Sequence, residues 1–255
     1  MDIKSKKLVV FDLDGTLAPS KNAMESSMQG LLRTLLEFRP VAIIGGGKFE
    51  LFQEQLLSQV NYPVELLKKL HLFPNTASRM FEFEDGEWRQ VYGEIFNEEE
   101  VAKIMEAFNQ AFKDIDYVHP QVLYGEVIEN RGTQVSFSVF GQQAPLDIKS
   151  AYRDSLEDRR LELKAVLDKY LPDFEVRVAG HTTIDVTRKG IDKAYGLHQI
   201  ENRLGVKIAD MVFVGDALFP GGNDEAVKKT GVDTVEVRDP HDTEKVIGQW
   251  LTELM

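Results

Sequence analysis

The chain has 255 residues, 43% of them hydrophobic, enough to bury one large core or two smaller ones and to suggest one or two domains. Its formal net charge of −12, from 42 acidic and 30 basic residues, excludes nucleic acid as an expected partner, because an acidic surface repels a polyanion and no basic stripe offsets it. There is no cysteine, which removes disulfides and thiolate metal sites and fits a reducing compartment. The opening run Met1 to Lys7 has no long apolar stretch and no small-residue cleavage signal. No apolar run approaches the roughly 20 residues that span a bilayer, so a cytoplasmic protein without a membrane partner is expected.

Leu8-Val9-Val10-Phe11 is a continuous apolar run ending in Asp12, as in a buried parallel strand with a polar residue at its carboxyl end. Helical spacing follows from Met24 to Phe38, with Leu31, Leu32, Leu35 and Leu36 on one face. Past Pro40, Val41-Ala42-Ile43-Ile44 reads as a second buried strand, and Gly45-Gly46-Gly47 opens a helix expected over Phe49 to Gln59. Strand alternating with helix predicts a parallel α/β sheet.

Around Ser78 the pattern changes. Arg79 to Glu84 alternates, Asp85-Gly86 turns, and Glu87 to Tyr92 returns, which predicts a hairpin. A helix from Glu98 to Phe112, strands over Val122 to Ile128 and Thr133 to Phe140, a long helix from Ser150 to Tyr170, and strands over Phe174 to Val178 and Thr182 to Val186 complete an α+β segment. The α/β texture then resumes: a helix from Ile191 to Leu204, a buried strand Met211 to Val214 ending in Gly215-Asp216, a helix after Asn223, a strand from Thr234 to Val237 and a helix from Pro240. The expected organisation is a discontinuous core, 1–81 and 187–255, with an inserted α+β domain, 82–186.

Ligands of open α/β sheets sit outside the carboxyl ends of the strands. Asp12 and Asp14 lie two residues apart at one such end, followed by Gly15, which permits a sharp turn. Two adjacent carboxylates repel unless a cation lies between them, and a hard, oxygen-seeking ion such as Mg²⁺ is the natural partner. Asp216 stands at another strand end, and with Asn223 or Asp224 could complete an oxygen-ligand shell. Gly45, Gly46 and Gly47 before a helix can offer backbone N–H groups to phosphate. Lys193, at the start of the returning helix, could neutralise a phosphate and an aspartate together. The five histidines read as structural or surface groups.

Asp12-x-Asp14, the glycine turn, Lys193 and Gly215-Asp216 occur in the order that resembles phosphotransferases of the haloacid dehalogenase (HAD) superfamily, among them the members with a large α+β cap between the second and third motifs (type IIB). Phe11 to Pro19, Phe49 to Leu56 and Phe219-Pro220-Gly221-Gly222-Asn223-Asp224 resemble the eukaryotic-type phosphomannomutases. The resemblance implies a Rossmann-like parallel core carrying an inserted cap that sets specificity. It implies Asp12 as nucleophile, Asp14 as general acid and base, and Lys193 as stabiliser of developing charge, with Lys193 and Gly45 to Gly47 binding phosphate. It implies a Mg²⁺ site from Asp12, Asp14 and Asp216 with Asn223 or Asp224.

The family also grips a distal phosphate with arginines. The corresponding substrate-binding positions here are Lys21, Arg131, Gln142 and Lys149, with Thr183 and Asp185 at sugar-contacting positions, and Gly47 stands where a hydroxyl side chain is usual. Lysine is a point charge, arginine a rigid fork, and glutamine carries no charge, so this clamp is weakened. A mutase must retain a bisphosphate while it turns around; a phosphatase only admits water. The expectation is therefore a Mg²⁺-dependent phosphatase of sugar phosphates or similar small phosphomonoesters, with a phosphomannomutase or phosphohexomutase as the alternative. A catalytically inactive binding protein is disfavoured, because Asp12, Asp14, Lys193 and Asp216 are all present. The expected partner is a small phosphorylated metabolite, a sugar phosphate, and the chain a monomer or homodimer.

Overall fold

The computed structural model describes residues 2–20, 22–58, 60–153 and 158–255. Its strands are β1 (Leu8–Asp12), β2 (Val41–Ile44), β3 (Leu70–Phe73), β4 (Arg79–Glu84), β5 (Glu87–Gly93), β6 (Ile128–Asn130), β7 (Val135–Ser138), β8 (Phe174–Ala179), β9 (Thr183–Arg188), β10 (Met211–Gly215) and β11 (Asp233–Glu236). They form two sheets. One has seven strands in the order β11-β10-β1-β2-β3-β4-β5, the other four in the order β6-β7-β9-β8.

In the seven-stranded sheet, β11, β10, β1, β2 and β3 are parallel. Every residue of β1, β2 and β10 is buried, because both faces are covered. Alternation along the strands divides their side chains between two cores. Val9, Phe11, Val41, Ile43, Val212 and Val214 pack with Leu32, Leu35 and Leu36 of the helix Ser26–Phe38 and with Ile247 and Trp250 of the helix Pro240–Leu254. Leu8, Val10, Ala42, Ile44, Met211 and Phe213 pack on the opposite face with Leu197 and Ile200 of the helix Lys193–Leu204. That helix approaches closely because position 196 is glycine: a Cβ there would lie 2.8 Å from both Ala77 Cβ and Ile44 Cδ1.

The sheet differs from the sequence expectation at its far edge. The hairpin β4–β5 was assigned to the inserted segment, yet β4 pairs antiparallel with β3, with Leu72 opposite Phe81, and so extends the core sheet. The Phe81 ring stacks on Phe49 at 3.9 Å, which anchors the hairpin there. The strand that receives it, β3, has only four residues and was not anticipated. The two compact units are accordingly 1–93 with 191–255, and 94–190, rather than dividing at 81/82 and 186/187.

The unit 94–190 carries the antiparallel sheet β6-β7-β9-β8. Helices Glu98–Asp114 and Arg160–Tyr170 supply Ile104, Phe108, Leu163 and Leu167 to a core with Phe137, Val176 and Ile184 of the sheet. The first of these helices opens with a capping box: Asn97 Oδ1 accepts from Glu100 N–H at 2.8 Å and Glu100 Oε2 accepts from Asn97 N–H at 2.8 Å. The expected strand from Val122 is confined to β6, and the expected long helix is two, Leu146–Arg153 and Arg160–Tyr170, with 154–157 outside the described residues. Among the described residues, no helix is long and apolar enough to cross a membrane.

Candidate active site

Parallel neighbours bring their carboxyl ends together. The order β10-β1-β2 sets Asp12 and Asp14 between Gly215-Asp216 on one side and Gly45 to Gly47 on the other. The register fixes the depth: Phe11 lies opposite Val214, and Asp12 opposite Ile44, so the residues just beyond each strand emerge at one level. Gly15, at φ +87°, turns the chain so tightly that a Cβ there would overlap the Asp216 carboxylate. Gly215 allows the same closeness toward Asp224.

Lys193 reaches this point as the first residue of its helix, whose N-cap Asp192 accepts from Tyr195 N–H at 2.9 Å. Its side chain is 1% exposed, and its ammonium donates to Asp12 Oδ1 at 2.5 Å and to Asp224 Oδ1. Asp224 Oδ2 accepts from Ala217 N–H at 3.1 Å, so both of its oxygens already have protein partners. Thr16 Oγ1 makes a long contact, 3.4 Å, with Asp12 Oδ2.

Asp12, Asp216 and Asp224 each bring a carboxylate oxygen within 4.8 Å of the others. With all groups ionised, three carboxylates, Asp216 among them half-buried, and one ammonium leave a local charge of −2. Burial pushes the Asp12 carboxyl up to about 7, against the pull of Lys193, and Asp224 and Asp216 add to the rise. Burial and then Asp224 likewise raise Asp216. Burial would lower the Lys193 ammonium, but Asp12 and Asp224 together hold it above the ordinary lysine range. A donor set made only of hard oxygens and lacking two positive charges fits a divalent cation of the Mg²⁺ type. Asp14 lies outside this triad: its Oδ1 accepts from Gln55 Nε2 at 3.0 Å. Asn223 is exposed and its neighbour Asp224 fully buried, so Asp224 is the one directed into the cluster.

The glycine turn is braced from an unexpected quarter. Asn75, Thr76 and Ala77 take left-handed φ of 52°, 54° and 64° in succession. Asn75 N–H donates to Gly47 O at 2.8 Å and Thr76 N–H to Gly45 O at 2.9 Å. A left-handed threonine is strained by about 1–3 kcal/mol, and nothing local in the sequence announces it.

In the other unit, Arg131, Gln142 and Lys149 do meet. Arg131 donates to Glu129 Oε2 at 2.8 Å and to Gln142 Oε1 at 3.0 Å, and Lys149 Nζ donates to Gln142 O at 3.0 Å. Gln142 Nε2 donates to Ser136 O at 2.8 Å, and Ser136 Oγ to Asp185 Oδ1 at 2.6 Å, which ties in β9. Thr183, two residues earlier, donates to Ala179 O at 2.5 Å. One row across all four strands is polar, Glu129–Ser136–Asp185–Arg177, and gives this sheet a hydrophilic face opposite its core. Lys21 lies outside the described residues.

A parallel α/β core with acidic strand ends, a buried lysine and a second antiparallel sheet defines a phosphotransferase fold of the HAD superfamily. Solved structures agree on the fold: Plasmodium falciparum IMP-nucleotidase superposes with a TM-score of 0.71 over 98% of this chain and 69% of that chain, at 15% identity. Aspergillus fumigatus trehalose-6-phosphate phosphatase does so with a TM-score of 0.59 over 98% of this chain and 96% of that one, at 18% identity. The eukaryotic phosphomannomutase family model matches residues 28–253, and the chain belongs to that family. A probable phosphomannomutase of Caenorhabditis elegans is 27% identical, over 98% of this chain and 97% of the relative.

Proposed function

We infer that this chain is a Mg²⁺-dependent mutase that moves phosphate between positions of a hexose phosphate through an aspartyl-phosphate on Asp12. The observation that carries it is the family match over 28–253, joined to the clustering of Asp216 with buried Asp12, Lys193 and Asp224. The relative's name, probable phosphomannomutase, supports mannose phosphates as the first substrates to try. This reverses the preference for hydrolysis drawn from the clamp residues alone.

An Asp12 carboxylate oxygen bonds to phosphorus as the ester P–O bond breaks, and its electron pair leaves on the ester oxygen, which takes a proton from Asp14. In the return step Asp14 removes a proton from the accepting sugar hydroxyl, whose oxygen bonds to phosphorus while the Asp12 O–P bond breaks. Lys193 holds Asp12 in place and offsets charge that builds on the phosphoryl oxygens. Asp12 and Asp216, with Asp224 behind them, are the residues to hold Mg²⁺, which when bound neutralises and orients the transferred group. Asp224, with both oxygens engaged, serves chiefly to fix Lys193.

Hydrolysis is the second reading, favoured by one observation. The only guanidinium among the expected clamp residues, Arg131, is paired with Glu129, and Gln142 beside it is neutral. With its one guanidinium offset by Glu129, the clamp grips a second phosphate through lysine point charges and lacks a free fork. The test is incubation with Mg²⁺, mannose 1-phosphate and a trace of glucose 1,6-bisphosphate, following hexose 6-phosphate and free phosphate together, with Asp12→Asn as blank. Hexose 6-phosphate with little free phosphate is the expected result. Free phosphate alone, lost in the blank, would replace the mutase with a phosphatase.

A further inference from the structure

Packing does not account for the threonine in the left-handed turn after β3. Pro74, Asn75, Ala77 and Ser78 are buried, while Thr76 between them is partly exposed. Glycine or asparagine would hold the same backbone, φ 54°, at less cost than a β-branched residue. The bond from Thr76 N–H to Gly45 O is made by the backbone and requires nothing of the side chain. Strain of this kind gathers at functional sites, where the side chain it positions is in use.

The hydroxyl faces the glycine turn. Chain neighbours aside, the only atom of the described residues within 4 Å of a Cβ built on Gly46 is Thr76 Oγ1, at 3.9 Å. That hydroxyl makes no hydrogen bond among the described residues. The register sets Asp12, Ile44 and Phe73 in one row across β1, β2 and β3, so the turns that follow β2 and β3 both open at the strand end that carries Asp12. The glycine turn itself is short of donors. Its three residues bring no side chain, and Gly45 N–H already donates to Phe73 O at 3.2 Å, which leaves Gly46 and Gly47 N–H. A side chain at 47 would displace a neighbour, because its Cβ would lie 2.6 Å from Leu51 Cδ2. Lys193 already serves Asp12 and Asp224.

We propose that Thr76 is a phosphate-binding residue, whose hydroxyl donates a hydrogen bond to a non-bridging oxygen of the phosphoryl group seated between Asp12 and the N–H groups of Gly46 and Gly47. The acceptor is charged, so the bond is stronger than one between neutral groups, and it adds no further charge to the site. The strained backbone is what turns the hydroxyl toward the glycine turn. This rests on the reading of Asp12 as the residue that accepts the phosphoryl group, and it holds for transfer to a sugar hydroxyl and to water alike.

The test uses the full chain with Mg²⁺ and compares wild type, Thr76→Val, Thr76→Ser, Thr76→Gly and Asp12→Asn. Binding of orthophosphate is read by calorimetry. Formation of the Asp12 phosphoryl adduct from mannose 1-phosphate is followed by rapid acid quench and mass spectrometry. Valine keeps the branch, the volume and the strain without the hydroxyl, serine keeps the hydroxyl, and glycine removes the hydroxyl and the strain together. Valine and glycine are each expected to lose roughly 10-fold in orthophosphate affinity and in adduct rate, with serine within about 3-fold of wild type. Thermal melts should place valine near wild type, which a role confined to holding the turn would also give, so the anion affinity decides. Wild-type affinity and rate in valine, or equal losses in valine and serine, would overturn the assignment of Thr76 while Asp12→Asn still abolishes the adduct. If wild type neither binds orthophosphate nor forms an adduct, the underlying reading of the site fails, and this one with it.

Discussion

Asp12 is a carboxylate that the fold makes uncomfortable, and that has a measurable consequence. Its folded value of about 7 stands above the ordinary 3.8, so between these the folded chain binds a proton that the unfolded chain has released. Stability in EDTA should therefore fall as pH rises from about 4 to 7. Urea titrations at pH 5 and 7 should show the decline, Asp12→Asn should reduce it and leave the smaller contribution of Asp216, and Mg²⁺ should restore stability at pH 7. A flat wild-type profile in EDTA would contradict the close clustering of Asp12 with Asp216 and Asp224. Lys193 supplies the opposite test: Lys193→Met leaves Asp12 and Asp224 buried without their cation. The expected loss is about 3–5 kcal/mol in metal-free urea denaturation, together with loss of phosphoryl transfer.

The helix Lys193–Leu204 couples stability to function, because the element that fills one core also carries the site lysine. Asp192→Ala removes its N-cap and should cost about 1 kcal/mol, with a larger effect on kcat than on KM as Lys193 loses its fixed origin. Gly196 sets two effects against each other. Alanine would gain about 1 kcal/mol of helix propensity, yet its Cβ would press on Ala77 and Ile44 at 2.8 Å, and overpacking of that kind costs about 1–3 kcal/mol. Both contacts belong to the sheet face and the strained turn, which cannot recede easily, so Gly196→Ala should be net destabilising in thermal melts. A higher melting temperature would mean that the helix can shift outward.

At the scale of the whole molecule, the chain builds separate cores in its two compact units. Phe108, fully buried among Phe112 and Phe137, belongs to the unit 94–190. Phe108→Ala should cost about 3–5 kcal/mol, and hydrogen exchange should accelerate within 94–190. Equal acceleration in β1 and β10 would show the units to unfold as one.

Much of the site was legible in the sequence because it is local. Asp12, Asp14 and Asp216 follow apolar runs that can only be buried strands, and a carboxylate at such an end has few roles. The alternating α/β texture likewise follows from hydrophobic spacing, which is a property of consecutive residues. Tertiary structure decided the rest. The hairpin β4–β5 reads identically whether it pairs with the core or with the insert; only the edge of β3, a partner too short to declare itself, assigned it. Asn223 and Asp224 are adjacent and both offer a side-chain oxygen, and burial against Lys193 separated them. Gln55 looks like any helix glutamine until the π-helical turn Gln53–Leu57 aims it at Asp14. Residue type and spacing fix which strands and turns can form, whereas partners distant in the chain depend on register, burial and the direction of a side chain, and these exist only once the sheet has closed.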